Sequence, residues 1–223
     1  MQFIEYADAE LMMMDLANIL ASELRQALSL GERASIAVPG GSSPGPIFDS
    51  LCAVDIDWAR VDIMLTDERW VPESSDRSNT RLLRQRLLTN RAAAARLVPL
   101  YAETATPEES LKGLEAGVAA ALPLSVALLG MGLDMHVASI FAGADRLDDA
   151  LTGTAPLVPM RAPGAPEPRI TLSAAVLNGA MSRHIVITGT AKREALERAR
   201  GLTPAEAPVA AVLRGSIIHW AEN

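Results

Sequence analysis

Aromatic side chains are scarce in this chain, with three Phe, three Trp and two Tyr among 223 residues. A core must instead be built from Ala, Leu, Val, Ile and Met, and a hydrophobic content of 49% supplies enough of them. There is one cysteine, Cys52, which excludes an intramolecular disulfide and fits a reducing compartment. Positive charge is also short: 20 Lys and Arg stand against 27 Asp and Glu, for a formal charge of −7. That balance argues against nucleic acid or an anionic membrane as partner, since both need a basic surface. It also offers an anionic substrate nothing from the overall field, so any phosphate has to be held by local donors. Glu5, Asp8, Glu10 and Asp15 are the wrong charges for a secretory leader. The longest uncharged run, Gly117 to Leu133, is interrupted by Pro123 and contains Ser125, so it reads as a helix end and a buried strand rather than a membrane span. Three histidines and one cysteine show no metal-ligand spacing, and neither a GxGxxG nor a Walker pattern occurs. The expectation is a cytoplasmic protein with no membrane partner, no metal and no cofactor, folded as a single α/β domain over residues 1–223.

What is present is an alternation. Leu11, Met14, Leu16, Ile19, Leu20, Leu24, Ala27 and Leu28 recur at helical spacing between Ala9 and Leu30, with Gly31 placed to end the helix. The run Met12-Met13-Met14 within it reads as core filler. Short apolar strands follow at Ala34–Val38, Val61–Leu65, Leu124–Leu129 and His184–Ile187, and another strand-like run spans Ser216 to Trp220. Helical segments lie between them at Thr80–Leu88, Pro107–Leu122 and Ala191–Arg200. Leu157–Met160 is strand-like, and Ala155 to Pro168 is a Pro-rich loop region rather than a linker. Buried strands alternating with helices predict a mainly parallel sheet covered on both faces. In such sheets ligands bind beyond the carboxyl ends of the strands, and the chemically useful residues all fall there.

After the first of these strands, Pro39-Gly40-Gly41-Ser42-Ser43-Pro44 leads into a helix beginning near Pro46, a place where close backbone and free N–H groups favour an anion. After the second come Asp67-Glu68-Arg69, with Ser78-Asn79 capping the next helix. Arg69 offers a rigid fork for phosphate, and Asp67 is expected to orient it or to meet a sugar hydroxyl. After the third lies Asp134-Met135-His136. Histidine titrates near neutrality, so His136 is the candidate to take a proton from water, with Asp134 orienting its ring. His184 and His219 sit in strands and read as structural. Lys192, one of two lysines, stands at a helix start where a cation gains nothing from the dipole, which suggests an anionic ligand.

Gly40-Gly-Ser-Ser-Pro44, Asp67-Glu-Arg-Trp-Val-Pro72 with Ser78-Asn79, Gly130-Met-Gly-Leu-Asp-Met-His-Val-Ala-Ser-Ile-Phe141, Arg169-Ile-Thr-Leu172 and Gly189-Thr-Ala-Lys192 resemble, in order and spacing, the motifs of 6-phosphogluconolactonases. The resemblance runs from about Ile36 to Trp220. It implies a Rossmann-like sheet, related to those of glucosamine-6-phosphate deaminases and ribose-5-phosphate isomerases. It also implies metal-independent hydrolysis of 6-phospho-D-glucono-1,5-lactone to 6-phospho-D-gluconate in the oxidative pentose phosphate pathway. By position, the family's histidine and its aspartate fall on His136 and Asp134, and its arginine and lysine at the phosphate end fall on Arg69 and Lys192. Gly40, Gly41, Ser42, Ser43, Asp67 and Arg169 complete the expected substrate contacts. Met135 stands where the family commonly has Gly, which calls for an ordinary backbone there and a side chain that narrows the site. The implied partner is a small sugar-phosphate lactone, met by a monomer or small homo-oligomer.

Three rivals remain at this level. A same-fold sugar-phosphate isomerase or deaminase is disfavoured because Val-Ala-Ser-Ile-Phe follows His136, where deaminases usually carry Ile-Ala-Phe-Asn-Glu. A noncatalytic sugar-phosphate sensor usually carries a DNA-binding module, and no basic face is evident. A serine esterase would use Gly41-x-Ser43-x-Gly45 as a nucleophile elbow, yet Pro44 lacks the N–H that should serve the oxyanion.

Overall fold

The computed structural model describes residues 1–223. In chain order the elements are β1 (Gln2–Glu5), α1 (Ala9–Leu30), β2 (Ala34–Val38), α2 (Gly45–Leu51), β3 (Val61–Leu65) and β4 (Asp67–Arg69). There follow α3 (Asn79–Arg86), β5 (Arg96–Leu97), α4 (Pro107–Ala119), β6 (Val126–Gly130), α5 (Leu147–Thr152) and β7 (Leu157–Met160). The chain closes with β8 (Arg169–Leu172), α6 (Ala174–Asn178), β9 (Ser182–Thr188), α7 (Thr190–Ala199) and β10 (Ile217–Ala221). Seven strands form a parallel sheet in the order β1-β10-β9-β6-β2-β3-β5, flanked by helices, as the alternation predicts. The chain runs outward from β2 to β3 and β5, then returns to the other side of β2 with β6. The crevice between β2 and β6 is therefore the topological switch point, where open α/β sheets bind ligands.

A second sheet was not anticipated. Asp67–Arg69, expected as a loop, is a strand, and it pairs antiparallel with β8, which pairs with β7. Thr66 joins the two sheets: its N–H donates to Val38 of the large sheet, and its carbonyl accepts from Leu172 of the small one.

Several boundaries also move. Helix α4 stops at Ala119 rather than Leu122, because Pro123 disfavours helical backbone in the residue before it. On α1 the buried rows are Met12, Leu16, Leu20 and Leu24 beside Met13, Ala17 and Ala21, at i, i+4 spacing. Met14 and Leu11 point outward and are about half exposed, so only two of the three consecutive methionines fill the core.

His184 and His219 are fully buried and structural. His184 Nε2 lies 2.9 Å from Glu23 Oε2 on α1, and its Nδ1 lies 2.9 Å from His219 Nε2. His219 Nδ1 is 2.9 Å from the Tyr6 hydroxyl, which donates to Asp15 at 2.8 Å. The chain of groups fastens α1 to β9 and β10. Burial, reinforced by His184, holds His219 down to about 4, so it is neutral at ordinary pH. No helix is long and apolar enough to cross a membrane.

Candidate active site

The loops after β2, β3 and β6 and the start of α7 enclose a cavity of about 260 Å³ at the switch point. Eight of the ten expected site residues line it: Gly40, Gly41, Ser43, Asp67, Arg69, His136, Arg169 and Lys192. Ser42 and Asp134 do not. Ser42 is turned to solvent and uses its carbonyl to accept from Gly45 N–H at 3.1 Å.

Asp134 is bonded to His136. Its Oδ1 lies 2.5 Å from His136 Nδ1 and also accepts the His136 backbone N–H at 3.3 Å. His136 Nε2 has no partner within the protein and is the nitrogen available to a ligand. The pair folds back over Gly132, where an added Cβ would lie 2.2 Å from His136 Nδ1 and 2.3 Å from Asp134 Oδ1. The turn also corrects the reading of Met135. Its φ is 65°, in the left-handed region that glycine adopts without steric cost, so the ordinary backbone expected of a Met is not what the structure has. Its side chain does not narrow the cavity. It packs on the core, and its carbonyl accepts from Val209 N–H at 3.0 Å.

Cations dominate the cavity wall. Arg69 and Arg169 are direct partners in the β4–β8 ladder, and the Nε of each is buried without an acceptor. Like charges directly opposite on neighbouring strands repel, and a buried guanidinium N–H left unpaired is costly, so the arrangement suits an anion. Burial holds the Arg169 guanidinium below its ordinary value, Asp67 opposes this, and Arg69 adds to it. Lys192 is half buried, makes no hydrogen bond or ion pair, and is also held below its ordinary value by burial.

Asp67 does not orient Arg69, whose Nη1 instead donates to the Arg77 carbonyl at 2.8 Å. The Asp67 carboxylate accepts from Thr66 Oγ1 at 3.0 Å and Ser139 Oγ at 2.5 Å, and stands 4.0 Å from Arg169 Nη1. It is the partner of Arg169 because the antiparallel pairing brings β8, not the turn after β4, against it.

The glycine loop is shaped by close approach. A Cβ on Gly40 would lie 2.1 Å from Asn79 Cγ, and Gly41 has φ +82°. The N–H groups of Gly41, Ser42 and Ser43 have no acceptor in the protein. Ser43 Oγ has no imidazole partner, which removes the esterase elbow.

Glu68 was the missed residue. It is fully buried and accepts from the backbone N–H groups of Arg69, Asn79 and Thr80 at 2.8, 2.9 and 2.7 Å, and from Thr80 Oγ1 at 2.7 Å. Burial raises its pKa and these donors oppose the rise. It ties the start of α3 to β4 and so sets the Gly40–Asn79 contact. The signal for it was the acid followed ten residues later by Ser78-Asn79-Thr80, a cluster of donors at a helix start. No group of three or more His, Cys, Asp or Glu side chains lies together as a metal site.

A family model described as glucosamine-6-phosphate isomerases/6-phosphogluconolactonase matches residues 7–220. The chain belongs to this family. Within it the chain is similar to the 6-phosphogluconolactonase of Rhizobium meliloti, with 42% identity over 215 residues covering 92% of each chain. The crystal structure of a 6-phosphogluconolactonase from Shewanella baltica superposes with a TM-score of 0.96 at 32% identity, covering 99% of this chain and 97% of that one. A monomeric glucosamine-6-phosphate deaminase shares the fold, with a TM-score of 0.80 at 14% identity. Fold therefore does not separate the two members' chemistries, and the side chains around the cavity must.

Proposed function

We propose that this chain is a 6-phosphogluconolactonase that hydrolyses 6-phospho-D-glucono-1,5-lactone to 6-phospho-D-gluconate, a step of the pentose phosphate pathway. The observation that carries the reading is one cavity holding both an anchored imidazole with a free Nε2 and three cations with unused donors, Lys192 without any partner and Arg69 and Arg169 each with a buried Nε that has no acceptor. Arg69, Arg169 and Lys192, with the N–H groups of the Gly40–Ser43 loop, hold the 6-phosphate and leave the lactone carbonyl beside His136. His136 Nε2 takes a proton from water as the water oxygen bonds to C1, and the carbonyl electrons move to oxygen. Collapse of the tetrahedral intermediate breaks the bond from C1 to the ring oxygen, which receives the proton from the imidazolium. Asp134 keeps the proton-bearing Nδ1 in place and stabilises the transient positive charge.

The whole chain acts as one domain, and the lone buried Cys52 fits a cytoplasmic setting.

The test is hydrolysis of freshly made phosphorylated lactone beside unphosphorylated gluconolactone, each corrected for spontaneous opening. Selective acceleration of the phosphorylated lactone is expected, together with loss of about 10²- to 10⁴-fold in rate for His136→Ala. No acceleration by a folded sample, or full turnover by the variant, overturns the reading. Turnover of glucosamine 6-phosphate instead would indicate the deaminase.

A further inference from the structure

A single hydrogen bond fixes a point on a ring but not its plane. His136 is tied to Asp134 through Nδ1 alone, and the Asp134 side chain is 63% exposed, so this anchor leaves the imidazole free to rock about the bond. What meets its face is Phe141, whose ring centroid is 4.5 Å from that of His136 at an interplanar angle of 37°. That separation is within the range of direct ring-to-ring packing. The same Phe141 ring lies under the guanidinium of Arg169, with Cζ 5.8 Å from the centroid. Arg169 has few other constraints: its Nε is unpartnered, Ser139 Oγ is 3.5 Å from Nη1, and its carboxylate neighbours Asp67 and Glu167 stand 4.0 and 3.9 Å away. Phe141 itself is absent from the cavity wall.

We propose that Phe141 is a positioning residue of the lactonase site, one ring that sets both the plane of the His136 imidazole and the seat of the Arg169 guanidinium. The proposal rests on the lactonase reading of this cavity. The ring's two contacts lie at the group that moves the proton and at a group that faces the anion, so its removal loosens both together. Aliphatic volume in its place fills space without presenting a flat surface, and the imidazole then samples several orientations of which one is productive. Because the fault lies in orientation, it falls on kcat more than on KM.

The test is kinetic and spectroscopic. Phe141→Leu is expected to lower kcat about tenfold while KM rises less than threefold, and Phe141→Tyr, which restores a flat ring, is expected to recover most of kcat. With only three histidines in the chain, the His136 ring C–H signal is resolvable by NMR. It should shift and broaden in Phe141→Leu while the His184 and His219 signals stay in place. Should Phe141→Leu fail to fold, Phe141→Met, a flexible side chain of similar volume, takes its place in the same measurements. Unchanged kcat with an unmoved His136 signal overturns the proposal. So does equal impairment of the Leu and Tyr variants with all three histidine signals displaced, which marks a packing role only. Failure of the lactonase reading is seen separately, as no acceleration of phosphorylated-lactone hydrolysis by the folded parent chain.

Discussion

Arg69 and Arg169 stand directly opposite each other across β4 and β8, two guanidinium groups whose buried Nε atoms find no acceptor in the protein. A phosphate between them removes the repulsion and satisfies both donors, so binding and folding are linked at this point. 6-Phosphogluconate at a hundredfold excess over its Kd is expected to stabilise the chain by about 2.7 kcal/mol. In Arg169→Gln the ligand-free protein should melt no lower than the parent, while the shift caused by 6-phosphogluconate should largely vanish. Thermal melts with and without the ligand check both halves. A variant that melts far lower without ligand would show that the arginine serves the fold instead.

Gly132 is required by the histidine that folds over it. A methyl group at this position would overlap His136 Nδ1 and Asp134 Oδ1, at 2.2 and 2.3 Å. Gly132→Ala is therefore expected to part the pair and lower kcat by about a hundredfold, with the far-ultraviolet circular dichroism unchanged. Normal turnover would mean that the pair tolerates separation.

At Met135 the left-handed backbone sets an unusual order among substitutions. Alanine loses the packing of the Met side chain and keeps the steric cost of φ 65°. Glycine loses the same packing but not that cost. Met135→Gly is expected to be more stable than Met135→Ala by about 1 kcal/mol, although it removes more atoms. Urea denaturation of the two variants decides it, and the usual preference for alanine would contradict the backbone assignment.

Acid should loosen the attachment of α1. The unfolded chain takes up a proton on His219 near pH 6.5, whereas the folded chain refuses it until about pH 4. The stability this contributes is whole above the upper value and is lost as pH falls through the window, on the order of 3 kcal/mol. Burial raises Glu23, but hydrogen bonds from His184 and Ser182 outweigh it and leave the carboxyl below its ordinary value. Its contribution is present above the unfolded carboxylate range and goes as pH falls below it, which extends the loss further into acid. Stability measured from pH 7 to 4 is expected to decline, and His219→Gln should flatten the upper part of that decline.

Much of this architecture was legible because buried parallel strands declare themselves. Ala34–Val38, Val61–Leu65 and the run around Leu128 are mostly apolar, broken only by single polar residues such as Ser35 and Asp62, and end where the candidate site residues begin. The residues that escaped did so for physical reasons. Asp67-Glu68-Arg69 carries three charges and no alternation, and it becomes a strand only because Arg169–Leu172, a hundred positions away, pairs with it. That distant pairing is also why Asp67 faces Arg169 instead of orienting Arg69, the first of the two roles its sequence position suggests. The conformation of Met135 follows from the need to turn His136 back over Gly132, and side-chain type alone does not reveal it. The cavity-lining residues could be picked out because they lie at strand ends in a fixed order, whereas Glu68 supports them from beneath through backbone donors that leave little trace in composition.

Thr66 gives the site its dimensional tolerance. One of its peptide groups is bonded to Val38 in the large sheet, and its carbonyl is bonded to Leu172 in the small one. The two arginines ride on the small sheet and His136 on the loop that follows β6 of the large one, so the proposed anion-holding groups and the proposed proton acceptor meet where the two sheets join. Ser139 of that loop donates its N–H to Thr171 Oγ1 and its hydroxyl to Asp67, which fastens the loop to the small sheet as well. A slip of one sheet against the other would alter the gap between a bound anion and His136 Nε2, where about 0.5 Å separates productive from idle geometry. The working accuracy of the pocket is thus a property of the seam between two sheets.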